Sequence, residues 1–213
     1  AHSARRGVWI TPLLRSGFVG GHRQAAAMQA IDWPFRASEQ LDAGALTVRQ
    51  LRRHHEAVYP GVWIPRGAEL DAVARARAAW LWSDRRGVLG GLSAAAMLGA
   101  KWIEPGRHAE LIHGNRRPPA GIVVHTYALN EAEVASIGGL PITTAARTAF
   151  DLGRQLSMTE AVQRIDALMN TADVKVAEIA DIARLHPGAR GLRRLRGVLH
   201  VVDGGAESPY ESL

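Results

Sequence analysis

The stretch from Phe35 to Arg66 constrains the fold of this chain more than any other. It reads FRASEQLDAG, then ALTVRQLRRHH, then EAVYPGVWIPRG. Ala37 to Ala43 predicts a short helix, and Gly44 ends it, because glycine takes the left-handed capping conformation at little cost. Thr47-Val48-Arg49-Gln50 has the spacing of a capping box, in which the first and fourth side chains satisfy each other's backbone N–H groups, so a second helix starts at Val48. Val58–Tyr59 and Val62–Ile64 read as strands turned by Pro60-Gly61, and Pro65 with Arg66-Gly67 closes the unit. Helix, tight turn, basic helix and hairpin, in that order, outline a winged helix-turn-helix, whose partner would be double-stranded DNA.

The second of these helices carries two stripes. Val48, Leu51 and His55 stand at i, i+3 and i+7 and are expected to face the core. Arg49, Arg52 and Arg53 stand at i, i+3 and i+4 on a neighbouring face, where guanidinium groups can reach phosphates or fork onto guanine. Gln50, near the start of the helix, is a candidate base reader, since that end commonly meets base edges. Arg36 ahead of the first helix and Arg66 at the exit of the hairpin are candidates for backbone contacts. The plainer alternative is a solvated basic face on a small helix.

Net charge adds little to this. The chain of 213 residues carries a formal +6. Arg5, Arg6, Arg15 and Arg23 fall in residues 1–27, which hold no acid; without them 22 basic residues face 20 acidic ones. Arg outnumbers Lys by 24 to 2, as GC-rich coding alone would produce. Local placement therefore carries the DNA reading. Cys is absent, which excludes disulfides and thiolate zinc sites. No apolar run is long enough to span a bilayer, and Val8–Leu14 is too short and too broken by Pro12 for a signal peptide. We read residues 1–27 as a non-native or disordered leader with Met28 as the natural start, and expect a cytoplasmic protein.

Beyond the hairpin the texture changes. Glu69 to Trp82 has helical periodicity, with Leu70, Val73, Ala74, Trp80 and Leu81 in reach of one face. Ser93–Leu98 predicts a short Ala-rich helix after Gly90-Gly91. Glu110–His113 and Ile122–Tyr127 predict strands on either side of an Arg116-Arg117-Pro118-Pro119 loop. Thr144–Gln155, Met158–Met169, Val176–Leu185 and Leu192–Val202 predict helices, the second of them opened by a Ser157/Glu160 capping box. Ser208-Pro209-Tyr210-Glu211 then carries the start signals of another helix, with Ser as cap and Pro at the first position, and the chain stops at Leu213. The expected fold class is α+β, with a winged helix-turn-helix over 28–67, a mixed, mainly helical second domain over 68–203, and the opening of a truncated further domain over 204–213.

Phe35 to Gly67 resembles the N-terminal winged-helix domain of AbiEi-type antitoxins and transcriptional regulators. The stretches LGGLSAAAMLGAKW, GLPITTAARTAFDLGR and GARGLRRLRGVLHVVDGGAESPYE are similar to a bacterial group in which such a domain precedes one like the very-short-patch-repair endonuclease. The resemblance implies a DNA-binding, autoregulatory antitoxin role for the first part; a cognate toxin and a homodimer are further partners considered for the chain. It also implies a carboxylate/lysine nuclease in the part that should follow, with Glu207 or Glu211 matching an early helical Glu; its decisive carboxylates and lysine would lie past Leu213.

Other chemistry reads weakly. Asp173-Val174-Lys175 is the acid-x-Lys triplet of a nuclease, yet it falls between two helices with no strand around it. His108, His113 and His125 read as surface or partner-satisfied imidazoles. Gly90-Gly91-Leu92-Ser93 could touch an anion but lacks the lysine of a phosphate-binding loop. Trp80, Trp82 and Trp102 read as core or interface anchors. Arg190, Arg193, Arg194 and Arg196 form a second basic cluster, either solvated or meeting DNA or an acidic partner. The chain is thus expected to bind DNA as an antitoxin-type regulator, with no cofactor, no metal and no catalytic residue of its own. The alternatives are the targeting half of an endonuclease, and a protein-interaction module that neutralises a toxin.

Overall fold

Two sheets and eight α-helices make up the computed structural model, which describes residues 31–204 apart from Trp102 and Pro105. The leader read over 1–27, Glu207, Glu211 and the helix start at Ser208 lie outside the described residues.

The first sheet is antiparallel and has three strands: β1 (Phe35–Arg36), β2 (His55–Tyr59) and β3 (Val62–Pro65), in the order β1-β3-β2. Helices α1 (Ala37–Asp42) and α2 (Val48–His54) lie between β1 and β2 in the chain. Gly44 adopts φ +66° after α1, and Gly61 adopts φ +79° in the β2–β3 turn, both positions a side chain would resist. The Thr47/Gln50 box is formed at the start of α2.

Helix α3 (Ala72–Trp82) follows, capped by Asp71, whose carboxylate accepts from the Ala74 N–H at 2.7 Å. The face expected to be buried is corrected here. Ala76, Ala78, Ala79 and Leu81 are buried, whereas Val73 is 43% exposed. The reason is that α3 packs against both sheets, so alanines are needed on more than one side where backbones approach closely.

The second sheet is mixed and has five strands: β4 (Val88–Leu89), β5 (Ala109–Ile112), β6 (Ile122–His125), β7 (Val134–Ile137) and β8 (Leu140–Thr143), in the order β6-β5-β4-β8-β7. β5–β6 and β4–β8 run parallel, β4–β5 and β7–β8 antiparallel. Helix α4 (Gly91–Met97) packs on this sheet. The remaining helices are α5 (Ala145–Gln155), α6 (Met158–Ala172), α7 (Val176–Leu185) and α8 (Leu192–Val202). They enclose a core built on Phe150, Leu152, Ile165, Leu168, Ile179, Leu195 and Leu199. The second region is thus mixed and mainly helical, with five strands where the sequence pattern predicts two.

The first sheet shares part of its apolar surface with the second. Tyr59 and Val62 join Leu89, Leu111 and Ile142 in one apolar cluster, and the Tyr59 hydroxyl donates to the Gly121 carbonyl at 3.2 Å. Asp84 and Arg85, both in the left-handed region, hold the junction: Asp84 pairs with Arg36, and Arg85 forks onto Glu39 at 2.5 and 2.8 Å. Among the described residues no helix is long and apolar enough to cross a membrane, and no group of His, Asp or Glu is placed to hold a metal ion.

Candidate nucleic-acid interface

Helix α2 is short, so its ends have to be held from outside. At its start Gln50 Oε1 accepts from the Thr47 N–H at 2.9 Å and the Thr47 hydroxyl at 2.8 Å. At its end Arg66 Nη2 donates to the carbonyls of Arg52 at 3.1 Å and His55 at 3.2 Å, tying the last turn to the hairpin. Between these clamps Leu51 is buried, and His55, which opens β2, is buried against the edge of Phe35 with ring centroids 5.1 Å apart. Burial pushes the His55 pKa below its ordinary value. Val48 departs from its expected place and is 52% exposed. It is the first residue of the helix, and Leu46 just ahead of it is buried.

The six residues singled out from the sequence divide into two groups. Arg49, Arg52 and Arg53 are exposed, and none makes an ion pair or a side-chain hydrogen bond among the described residues. Arg36, Gln50 and Arg66 are engaged inside the protein: Arg36 with Asp84, Gln50 in the capping box, and Arg66 on the end of α2, with Glu56 3.8 Å from its other nitrogen. Gln50 is half-buried and its carbonyl oxygen is occupied, so it cannot fork onto adenine, which needs both amide atoms, without opening the box. The tip of the hairpin is likewise tied down. Gly61 accepts from the Ala37 N–H at 3.0 Å, and the flanking Tyr59 and Val62 are buried.

A second constellation lies in GLPITTAARTAFDLGR, and composition and periodicity did not single it out. Thr144 caps α5, and Arg147 one turn later is 2% exposed. Arg147 Nε donates to Asp151 Oδ2 at 2.9 Å and its Nη1 to Glu133 Oε2 at 2.8 Å. Arg154 holds the other oxygen of Asp151 at 2.6 and 2.9 Å. His186 Nε2 lies 2.5 Å from Glu133 Oε1. Burial alone would raise the Glu133 pKa, but the Asn130 N–H, His186 and Arg147 outweigh it and hold the carboxyl below its ordinary range. The guanidinium carbons of Arg147 and Arg154 sit 4.9 and 5.0 Å from the Tyr127 ring centre, with Phe150 beside both. The readable signal was Arg147-x-x-x-Asp151-x-x-Arg154, which puts three charges on one face of a helix otherwise buried.

The lesser candidates resolve simply. Gly91, at φ +49°, leaves room for the carboxylate of Glu110, which accepts from the Leu92 N–H at 3.0 Å. The anion at this turn is the protein's own. His125 pairs with Glu110 at 2.8 Å, and His113 accepts from the Asn115 N–H. Asp173 ends α6 in the left-handed conformation, with Val174 buried, so the acid-x-Lys triplet is a helix connection. Ser157 caps α6, but no reciprocal Glu160 bond completes the expected box. Trp80 and Trp82 pack on the core, and Trp102 is not among the described residues. Arg194 donates to the Gln155 and Leu156 carbonyls, while Arg190, Arg193 and Arg196 are exposed.

Residues 87–201, from the start of the five-stranded sheet to the last helix, match the AbiEi antitoxin C-terminal domain. The chain belongs to the AbiEi antitoxin family. The match falls on the part after the first sheet, and a domain like the very-short-patch-repair endonuclease is no part of it. Two proteins of Mycobacterium tuberculosis, MT2308 of strain CDC 1551 and Rv2248 of strain H37Rv, are each 32% identical over 96 residues. That stretch is 45% of this chain and 35% of theirs, so the chain spans about a third of these relatives. The crystal structure of the Rv2827c protein of M. tuberculosis superposes with a TM-score of 0.54 at 19% identity, over 87% of this chain and 76% of that one. That likeness is one of fold.

Proposed function

We propose that this member of the AbiEi antitoxin family binds double-stranded DNA through α2 as an antitoxin-type transcriptional regulator, with a cognate toxin as its second partner. The observation that carries the reading is the free arginine face: Arg49, Arg52 and Arg53 stand exposed and unpaired among the described residues, on a helix clamped at both ends. Elsewhere in this region Arg36 and Arg85 are bound to carboxylates. The strand order β1-β3-β2 around α1 and α2 supports a winged helix-turn-helix. The anchored hairpin tip argues that the helix, and not the wing, makes the main contact. Arg36 and Arg66 then act by positioning.

Each phosphate neutralised releases condensed counterions, steepening the fall of log affinity with log salt by about 0.9 per contact. Titrating a labelled duplex from the region upstream of the coding sequence should show binding that Arg52→Ala with Arg53→Ala weakens. The salt slope should become shallower by about 1.8. An unchanged affinity and slope would refute the assignment to α2.

A second reading makes this chain the targeting part of a longer nuclease like the very-short-patch-repair enzyme. It rests on the resemblance of GARGLRRLRGVLHVVDGGAESPYE to that bacterial group. An acid-x-Lys strand encoded past Leu213, with Mg²⁺-dependent cleavage by the extended protein, would support it. A toxin-neutralising role without DNA binding would show as protection from the toxin that survives the double Arg variant while no duplex is bound by either form.

A further inference from the structure

Beside the buried Arg147 constellation the surface opens into a cleft of about 510 Å³, lined by Tyr127, Asn130, Arg147, Arg154, His186 and Arg190 among others. Its inner charges balance and its rim adds a cation. Glu133 and Asp151 match Arg147 and Arg154, and exposed Arg190 brings a third guanidinium. Both carboxylates are spent on the two inner arginines and on His186. Among the described residues no hydrogen bond uses Arg147 Nη2 or Arg154 Nη1, and Arg190 is exposed with no ion pair. The inner guanidiniums cannot swing away, because Tyr127 and Phe150 pack against both of them. The cleft thus presents two fixed inner guanidiniums, each with an unused nitrogen, and an exposed one at its rim, an arrangement that favours an anion.

We propose that this cleft is a binding site for a small phosphorylated ligand of the nucleotide class. Guanidinium forks match phosphate oxygens better than any other side chain does. The volume lies within the range of about 300–1,000 Å³ usual for organic ligands, so the phosphate would carry a larger group with it. Arg190 closes on the phosphate from the rim while Arg147 and Arg154 hold it from below. Asn130 and the His186–Ala189 turn border the remainder of the ligand. The site is independent of α2 and of the DNA reading.

The test is calorimetric titration of the whole chain with ATP and, separately, inorganic pyrophosphate. Saturable one-to-one binding of ATP is expected, with pyrophosphate weaker. Arg190→Glu should weaken ATP binding at least tenfold with unchanged melting temperature in the absence of ligand. Arg196→Glu, an exposed charge on α8 outside the lining, should leave it unaltered. The triple Arg49→Ala, Arg52→Ala, Arg53→Ala variant should also bind ATP normally. No saturable binding at millimolar ATP would overturn the proposal. So would equal loss in the Arg190 and Arg196 variants, or loss in the triple variant, which would place the phosphate on the DNA face.

Discussion

Replacing Arg147 with Met separates a buried charge network from a hydrated one. Arg147 is 2% exposed, and its two carboxylate partners, Glu133 and Asp151, are 2% and 0% exposed in their side chains. Met fills the space of the arginine stem, so little packing is lost, but Glu133 keeps its charge with only His186 and the Asn130 N–H for compensation. Breaking a buried pair from one side costs about 3–5 kcal/mol, because the orphaned charge remains in low dielectric. For a chain of this size each kcal/mol shifts the melting temperature by roughly 2–4 °C, so a fall of about 6–20 °C is expected. Urea unfolding followed by circular dichroism reads the same loss as a lower midpoint with an unchanged slope. The triple variant Glu133→Gln, Arg147→Met, Asp151→Asn removes the stranded charges and should recover part of the loss, although Arg154 then keeps only a neutral partner. A loss under about 1 kcal/mol for Arg147→Met, the value of a surface pair, would refute the account of this network as buried and unscreened.

Two further outcomes follow from single positions. Gly91→Ala should destabilise by about 2–4 kcal/mol, since it combines a left-handed backbone with displacement of the Glu110 carboxylate from the start of α4. Gly44→Ala, left-handed but facing open space, should cost only about 1 kcal/mol, and equal midpoints in urea would count against the steric part of the argument. Glu133 has a depressed pKa in the folded state, so its stabilisation is fully present above its unfolded value near 4.5 and is lost as pH falls through the lower folded value. Unfolding midpoints measured from pH 7 down to pH 3 should therefore drop more steeply in the parent than in Glu133→Gln, and parallel curves would contradict the assignment.

Local signals carried far in this chain. The Thr47/Gln50 box, the Gly44 and Gly61 turns and the limits of α5, α7 and α8 were all legible because each depends on a few neighbouring residues. The strands β4 and β7 were not, since Val88–Leu89 is too short for a period and Val134–Ile137 exposes part of both faces. Val48 and Val73 show the limit of periodicity: a stripe identifies a face, but which part of it is covered depends on what packs there.

By itself the sequence determined that a basic helix with a capped start follows a Gly-stopped turn, because propensity and capping are short-range. Which arginines on and around it remain free was decided only by the fold. Asp84, Glu39 and the end of α2 claim Arg36, Arg85 and Arg66 across separations that no local pattern encodes. The same holds for the cleft. Tyr127, Glu133, Arg147 and His186 meet because the segment ahead of β7, helix α5 and the end of α7 are brought side by side. The strength of those buried ion pairs is a property of that enclosure, where the dielectric is low, and not of the residues in order along the chain.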